Sequence, residues 1–165
     1  MLDSDYLIKE IGKSFKSRRL WLVTAESCTG GLLGHMITSA AGASEFYLGG
    51  IITYSNSSKE KWLGVASATL KQYGAVSRET VLEMARGVHT KFADQYQAKN
   101  IIGVSISGIA GPGGGTPLKP VGTVLIGVSS AARDEAFEFH FKGDRGKIKT
   151  QASFKALELL LDHLH

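Results

Sequence analysis

Residues 20–31 read Leu-Trp-Leu-Val-Thr-Ala-Glu-Ser-Cys-Thr-Gly-Gly. The first six form a short apolar run, which predicts a buried strand. Glu26 to Gly31 follow as a strand-to-helix turn, and residues 32–40 continue as a helix that stops near Ala41 and Gly42. Upstream, Leu7, Ile8, Ile11 and Phe15 recur at helical spacing and predict an amphipathic helix over 6–18.

Downstream, the pattern repeats. Residues 46–55 contain Gly-Gly-Ile-Ile-Thr-Tyr and predict a second strand. Asn56 is placed to cap a helix over 57–64. Residues 66–74 read as a short helical or turn segment. A long helix is predicted over 78–95, with Val81, Met84, Ala85, Val88 and Phe92 on one face. Residues 101–107 predict a third strand, and 108–120 are too rich in Gly and Pro for regular structure. Two more strands, 121–129 and 136–142, precede a final helix over 144–164.

Strands that alternate with helices imply a sheet covered on both faces. The last two strands are joined by a link around 131–134 that is too short for a crossover, so they must be antiparallel. The expected fold is a three-layer α/β/α sandwich with a mixed, mainly parallel five-stranded sheet, in one domain over 1–165.

The composition sets limits on function. The chain has 165 residues, 43% hydrophobic and 21% charged, as in ordinary soluble globular proteins. A single cysteine, Cys28, excludes an internal disulfide and fits a reducing cytoplasm. No apolar run approaches the ~18 residues of a membrane span, and the start lacks the pattern of a signal peptide. The net charge is +4. The basic residues are scattered, and the densest group (Lys142, Arg145, Lys147, Lys149) is interrupted by Gly143 and Asp144. A small anionic substrate accounts for that charge better than nucleic acid does.

In sheets of this kind, sites form outside the carboxyl ends of the strands. Three hydroxyl- and glycine-rich loops stand there: 26–31, 54–59 and 107–115. In the first, Ser27 or Thr29 is placed to cap the next helix, and Gly30 and Gly31 bare backbone N–H groups that suit an anion. The same residues also read as a plain capped helix. Cys28 reads as a thiol activated at a helix terminus or as a small core residue. In the second loop, Asn56 as N-cap puts the Lys59 cation at N3, against the dipole, where the field lowers its pKa. Tyr54 ends the preceding strand. The alternative is a solvated lysine beside a core tyrosine. The third loop packs five glycines into 108–115, so its backbone can approach a ligand closely, yet it matches neither a Walker A loop nor a dinucleotide fingerprint. Asp144 is placed to cap the final helix, with Arg145 in its first turn and suited to phosphate. The histidines show no metal-ligand spacing and no Gly-x-Ser-x-Gly elbow occurs. From the residues alone, the expectation is a small-molecule enzyme with a hydroxyl-rich, cation-containing pocket for a phosphorylated ligand.

Seven strings resemble the CinA C-terminal (competence/damage-inducible protein) family: Thr-Ala-Glu-Ser-Cys-Thr-Gly-Gly (24–31), Gly-Ala-Ser (42–44), Thr-Tyr-Ser-Asn (53–56) with Lys59, Gly-Ala-Val-Ser (74–77), Ser-Gly-Ile-Ala-Gly-Pro (107–112), Lys-Pro-Val-Gly-Thr-Val (119–124) and Gly-Asp-Arg (143–145). They follow the family order along nearly the whole chain. Residues 88–100 depart from the family pattern by being longer and more polar. The resemblance implies an α/β/α fold, no cofactor or metal, a homodimer, and hydrolysis of the carboxamide of nicotinamide mononucleotide to nicotinate mononucleotide and ammonia. Many members carry this domain behind a larger one, and the chain looks like the stand-alone form. Carried over by motif, Ser44 is the expected nucleophile and Lys59 its base, with Tyr54 and Ser27 positioning the proton relay or the substrate. Thr29, Gly30, Gly31, Ser107, Gly108 and Arg145 are expected to bind substrate. The competing expectations are a non-catalytic nucleotide-binding module, a thiol enzyme using Cys28, and a nucleic-acid protein.

Overall fold

The computed structural model describes residues 4–164. Its elements run α1 (Ser4–Arg18), β1 (Trp21–Glu26), α2 (Leu32–Thr38), β2 (Tyr47–Ile52), α3 (Asn56–Leu63), α4 (Ser67–Tyr73), α5 (Arg78–Phe92), β3 (Ile101–Gly108), β4 (Thr123–Ser129), β5 (Asp134–His140) and α6 (Arg145–His163). Short 3-10 turns over Ala43–Glu45 and Ala98–Asn100 precede β2 and β3.

The five strands form one sheet in the order β2-β1-β3-β4-β5. β1 is parallel to both β2 and β3, and the β3–β4 and β4–β5 pairs are antiparallel. The predicted mixed sheet is therefore the observed one, including the antiparallel last pair that the short link demanded. α1, α2 and α6 pack together on one face, where Leu7, Ile11, Phe15, Ile106, Ile126 and Leu157 share a core. α3, α4 and α5 cover the other, where Val23, Ala25, Met84 and Val88 meet.

Small residues let α5 sit close to the sheet. A Cβ on Gly103 would lie 2.4 Å from the Ala85 carbonyl, and one on Gly127 2.7 Å from that of Val81. Between them, the Ser105 hydroxyl donates to the Val81 carbonyl at 2.6 Å. Any larger side chain there would force α5 off the sheet.

The element ends differ from expectation by a few residues. β2 stops at Ile52, and the Thr53 N–H makes the last ladder bond, to the Glu26 carbonyl at 2.8 Å. α5 ends at Phe92, where Ala93 caps it in right-handed geometry. Residues 93–97, part of the polar stretch noted above, therefore lie outside the helix. Among the described residues, no helix is long and apolar enough to cross a membrane.

Candidate active site

The parallel arrangement of β1, β2 and β3 gathers Glu26, Ile52 and Gly108 at one end of the sheet. A cleft of about 230 Å³ opens beyond them, lined by Ser27, Tyr54, Lys59, Ser107, Gly108 and Arg145 among others.

The turn that carries Ser27 into this cleft is held by Glu26. This carboxylate is 2% exposed and accepts from the N–H groups of Gly31 (2.9 Å), Leu33 (3.1 Å) and Gly34 (2.8 Å). It is thus the cap of α2. The expectation that Ser27 or Thr29 caps this helix is corrected, since the carboxylate reaches past both. It also corrects the idea of free amides at 30–31. The Gly31 N–H is occupied by Glu26, and the Gly30 N–H by the Ser27 carbonyl at 3.1 Å. Thr29 is fully buried. Thr29, Gly30 and Gly31 therefore support the turn from behind rather than line the cleft.

With its hydroxyl freed from capping, Ser27 faces Lys59. Lys59 Nζ lies 2.8 Å from Ser27 Oγ and 2.8 Å from the Thr53 carbonyl. The lysine is 1% exposed. Burial lowers its pKa from 10.5 to about 8. Two details of the helix reading change here. Ser55, not Asn56, is the N-cap of α3 and accepts from the Ser58 N–H at 3.1 Å. Lys59 is therefore the fourth helical residue rather than the third, and desolvation, not the helix dipole, makes it a weak cation.

Ser44 is not brought to this site. It lies on the exposed 3-10 turn ahead of β2, whereas Lys59 follows the other end of that strand. Six strand residues separate the two ends by roughly 20 Å. Within one chain the expected Ser44–Lys59 pairing is therefore not formed: a strand carries its two ends to opposite ends of the sheet.

The remaining candidates are placed as follows. Tyr54 is 63% exposed at the mouth, and its hydroxyl accepts from Arg145 at 2.7 Å. Arg145 also donates to the Gly111 carbonyl at 2.7 Å. Asp144 caps α6 through the Lys147 N–H, as expected, and so sets Arg145 at the mouth. Ser107 lines the cleft, but its hydroxyl donates to the Ala75 carbonyl at 2.7 Å. Gly108 admits no side chain, because a Cβ would lie 2.8 Å from the Thr123 carbonyl. Cys28 is buried, and desolvation raises its thiol pKa to about 11, so it stays protonated and unreactive at neutral pH.

Two contributors were missed in the sequence. Glu26 carries no local mark of its role, because a polar strand-end residue gives no sign of pointing back under its own turn. Lys119 donates to the carbonyls of Tyr73 (3.0 Å) and Val76 (2.7 Å), fastening the glycine-rich loop against the link between α4 and α5. Nothing local to Lys119 marks that long-range role.

Comparison with known proteins places the whole described chain in one family. The model of the CinA C-terminal domain matches residues 4–164. The nicotinamide-nucleotide amidohydrolase PncC of Enterobacter agglomerans is 46% identical over 154 residues, covering 92% of this chain and 90% of that protein. A CinA-like protein of Thermotoga neapolitana is 40% identical over 163 residues, and a Moorella thermoacetica relative is 45% identical over 158. The chain spans only 38% and 37% of the length of these two. Among solved structures, a CinA superfamily protein from Klebsiella pneumoniae superposes with a TM-score of 0.90 at 33% identity, covering 99% of this chain and 98% of that one. A competence/damage-inducible protein from Agrobacterium tumefaciens gives 0.88 at 36% identity, covering 98% and 96%. With every described residue inside the matched family model, and the fold shared from end to end, the chain belongs to the CinA C-terminal domain family.

Proposed function

We propose that the chain is an amidohydrolase that converts nicotinamide mononucleotide to nicotinate mononucleotide and ammonia, with Ser27 as nucleophile and Lys59 as its base. The observation that carries this is the buried contact of 2.8 Å between Ser27 Oγ and Lys59 Nζ. The amidohydrolase named for the Enterobacter relative supports the reaction class.

The chemistry follows from the contacts. A neutral Lys59 keeps one N–H on the Thr53 carbonyl, which fixes the amine and turns its lone pair toward Ser27. Ser27 Oγ attacks the carboxamide carbon as its proton passes to Nζ. The tetrahedral intermediate collapses, the C–N bond breaks, and Nζ returns the proton to the departing ammonia. Water then attacks the acyl carbon and passes a proton to Nζ; the bond to Ser27 Oγ breaks, Oγ takes that proton back, and nicotinate mononucleotide leaves. Arg145, with Tyr54 beside it, meets the phosphate at the mouth. The reaction uses no metal and no cofactor. We further infer a cytoplasmic homodimer as the working form.

The test is ammonia release from nicotinamide mononucleotide by wild type, Ser27→Ala, Lys59→Met and Ser44→Ala. Wild type and Ser44→Ala should release ammonia, and the other two should not. Release by Ser27→Ala moves the nucleophile elsewhere. No release by wild type, with retained binding of the nucleotide, makes the domain a binding module.

A further inference from the structure

A second serine is set up for attack at the opposite end of the sheet. β4 and β5 are joined by a tight turn in which the Ser130 N–H donates to the Arg133 carbonyl at 3.0 Å. His163, in the last turn of α6, packs against it. Its Nε2 lies 3.0 Å from Ser130 Oγ, and its Nδ1 lies 2.6 Å from Glu135 Oε2. The imidazole side chain is only 5% exposed. Arg133 holds the acid and the base together, with Nε on Glu135 at 2.9 Å and a terminal nitrogen on the His163 carbonyl at 3.2 Å.

The proton positions follow from these partners. The hydrogen bond from His163, aided by Arg133, keeps the Glu135 carboxyl below its ordinary pKa, so the group is a carboxylate at neutral pH. A contact of 2.6 Å between a ring nitrogen and a carboxylate oxygen requires the hydrogen on Nδ1. In the neutral ring, the Nε2 lone pair then faces the Ser130 hydroxyl. The serine proton has a second acceptor in the Arg133 carbonyl at 3.1 Å, so the turn competes with the histidine for it. Nucleophile, base and orienting acid stand in the order that activates a serine, and geometry defines that arrangement whatever the fold or chain order.

The nucleophile is also reachable. Ser130 is half-buried and lines a cleft of about 210 Å³ together with Arg18, Lys99 and Arg133. Arg133 is paired with Glu135, which leaves Arg18 and Lys99 in the lining, with no carboxylate beside them there among the described residues, to favour a negatively charged ligand. The length of β4 separates this cleft from Ser27, roughly 20 Å at strand rise, so the two serines do not share a base.

We infer that Ser130, with His163 and Glu135, forms a second and independent acylation centre for small carboxylic esters that carry a negative charge. Ser130 Oγ attacks the ester carbonyl carbon, and its proton moves to His163 Nε2. The bond to the leaving alcohol oxygen breaks, and that oxygen takes the proton from Nε2. Water then attacks the acyl carbon and passes a proton to the same nitrogen; the bond to Ser130 Oγ breaks, Oγ takes that proton from Nε2, and the carboxylic acid leaves. Arg133 is a positioning residue.

The test uses the full chain with Ser27→Ala, which silences the other nucleophile. The protein is incubated with the 4-nitrophenyl monoester of succinate and, separately, with neutral 4-nitrophenyl acetate. Nitrophenolate release is followed, and the acylated residue is located by peptide mass mapping. The expected result is an adduct on Ser130, formed faster from the anionic ester. His163→Gln should slow it about 100-fold, the scale of a lost general base. Glu135→Gln, which keeps the side-chain shape, should also slow it, with the melting temperature monitored to separate chemistry from unfolding. Lys99→Ala should reduce the preference for the anionic ester. No adduct on Ser130, or an adduct whose rate is indifferent to both His163→Gln and Glu135→Gln, overturns the proposal. Equal rates with the two esters overturn its substrate class.

Discussion

Lys59 Nζ and Ser27 Oγ stand 2.8 Å apart where the lysine is 1% exposed. The burial that brings them together also lowers the lysine pKa to about 8. A base of this kind works only when neutral, so kcat/KM should rise with pH and level off above about 8. A pH profile of ammonia release measures it. A profile flat from pH 6 to pH 9 rules out Lys59 as the base.

The same group shapes stability with pH. Its folded pKa lies below the ordinary 10.5, so between about 8 and 10.5 the unfolded chain holds a proton that the folded chain has released. Stability therefore rises with pH across that window, and the penalty is greatest below it. The difference in melting temperature between wild type and Lys59→Met should move in favour of wild type as pH increases from 8 to 10.5. A difference independent of pH would argue against the shifted lysine.

Glu26 supports the turn that carries Ser27. In Glu26→Gln the amide nitrogen would face an N–H group that the carboxylate now satisfies. Leaving a buried donor unpaired costs about 2 kcal/mol. The expected fall in melting temperature is roughly 4–8 °C for a domain of this size. Calorimetry on the variant measures it, and a loss of kcat alongside would show that the cap also positions the nucleophile.

Arg145 bridges the Tyr54 hydroxyl and the Gly111 carbonyl at the mouth of the cleft. Arg145→Ala should raise KM for nicotinamide mononucleotide about tenfold or more, on the scale of a lost charged hydrogen bond. The corresponding nucleoside, which has no phosphate, should lose much less. Equal losses for the two would place the phosphate elsewhere.

Cys28 should be dispensable. Cys28→Ala is expected to keep full activity, and iodoacetamide at pH 8 should modify the folded protein slowly, because the thiol pKa is raised to about 11. Rapid alkylation with loss of activity would reopen the thiol reading.

Much of the fold was legible in the chain. Apolar runs such as 20–25 and 101–107 mark strands because both faces of a central sheet are covered. The link at 131–134 allows only an antiparallel pair because it is too short to cross the sheet. Glycine at 103 and 127 carries no local sign of its role, since the reason for it is the Ala85 and Val81 carbonyls on a distant helix.

The site was legible in its residue types and less so in its pairings. The motif strings contain Ser27, Ser44, Lys59, Tyr54 and Arg145, and they mark the hydroxyls and cations from which the site is drawn. They do not say which serine the lysine meets. That depends on the parallel alignment of β1 and β2, which brings the carboxyl ends of both strands together and leaves Ser44 at the far end of β2. It depends also on Glu26, which takes over the cap of α2 and leaves the Ser27 hydroxyl unoccupied. The sequence by itself determined the strands, the helices and the chemical inventory, because these follow from periodicity and side-chain type. Only the tertiary structure decided which side chains touch, because strand direction and buried hydrogen bonds act between residues far apart in the chain.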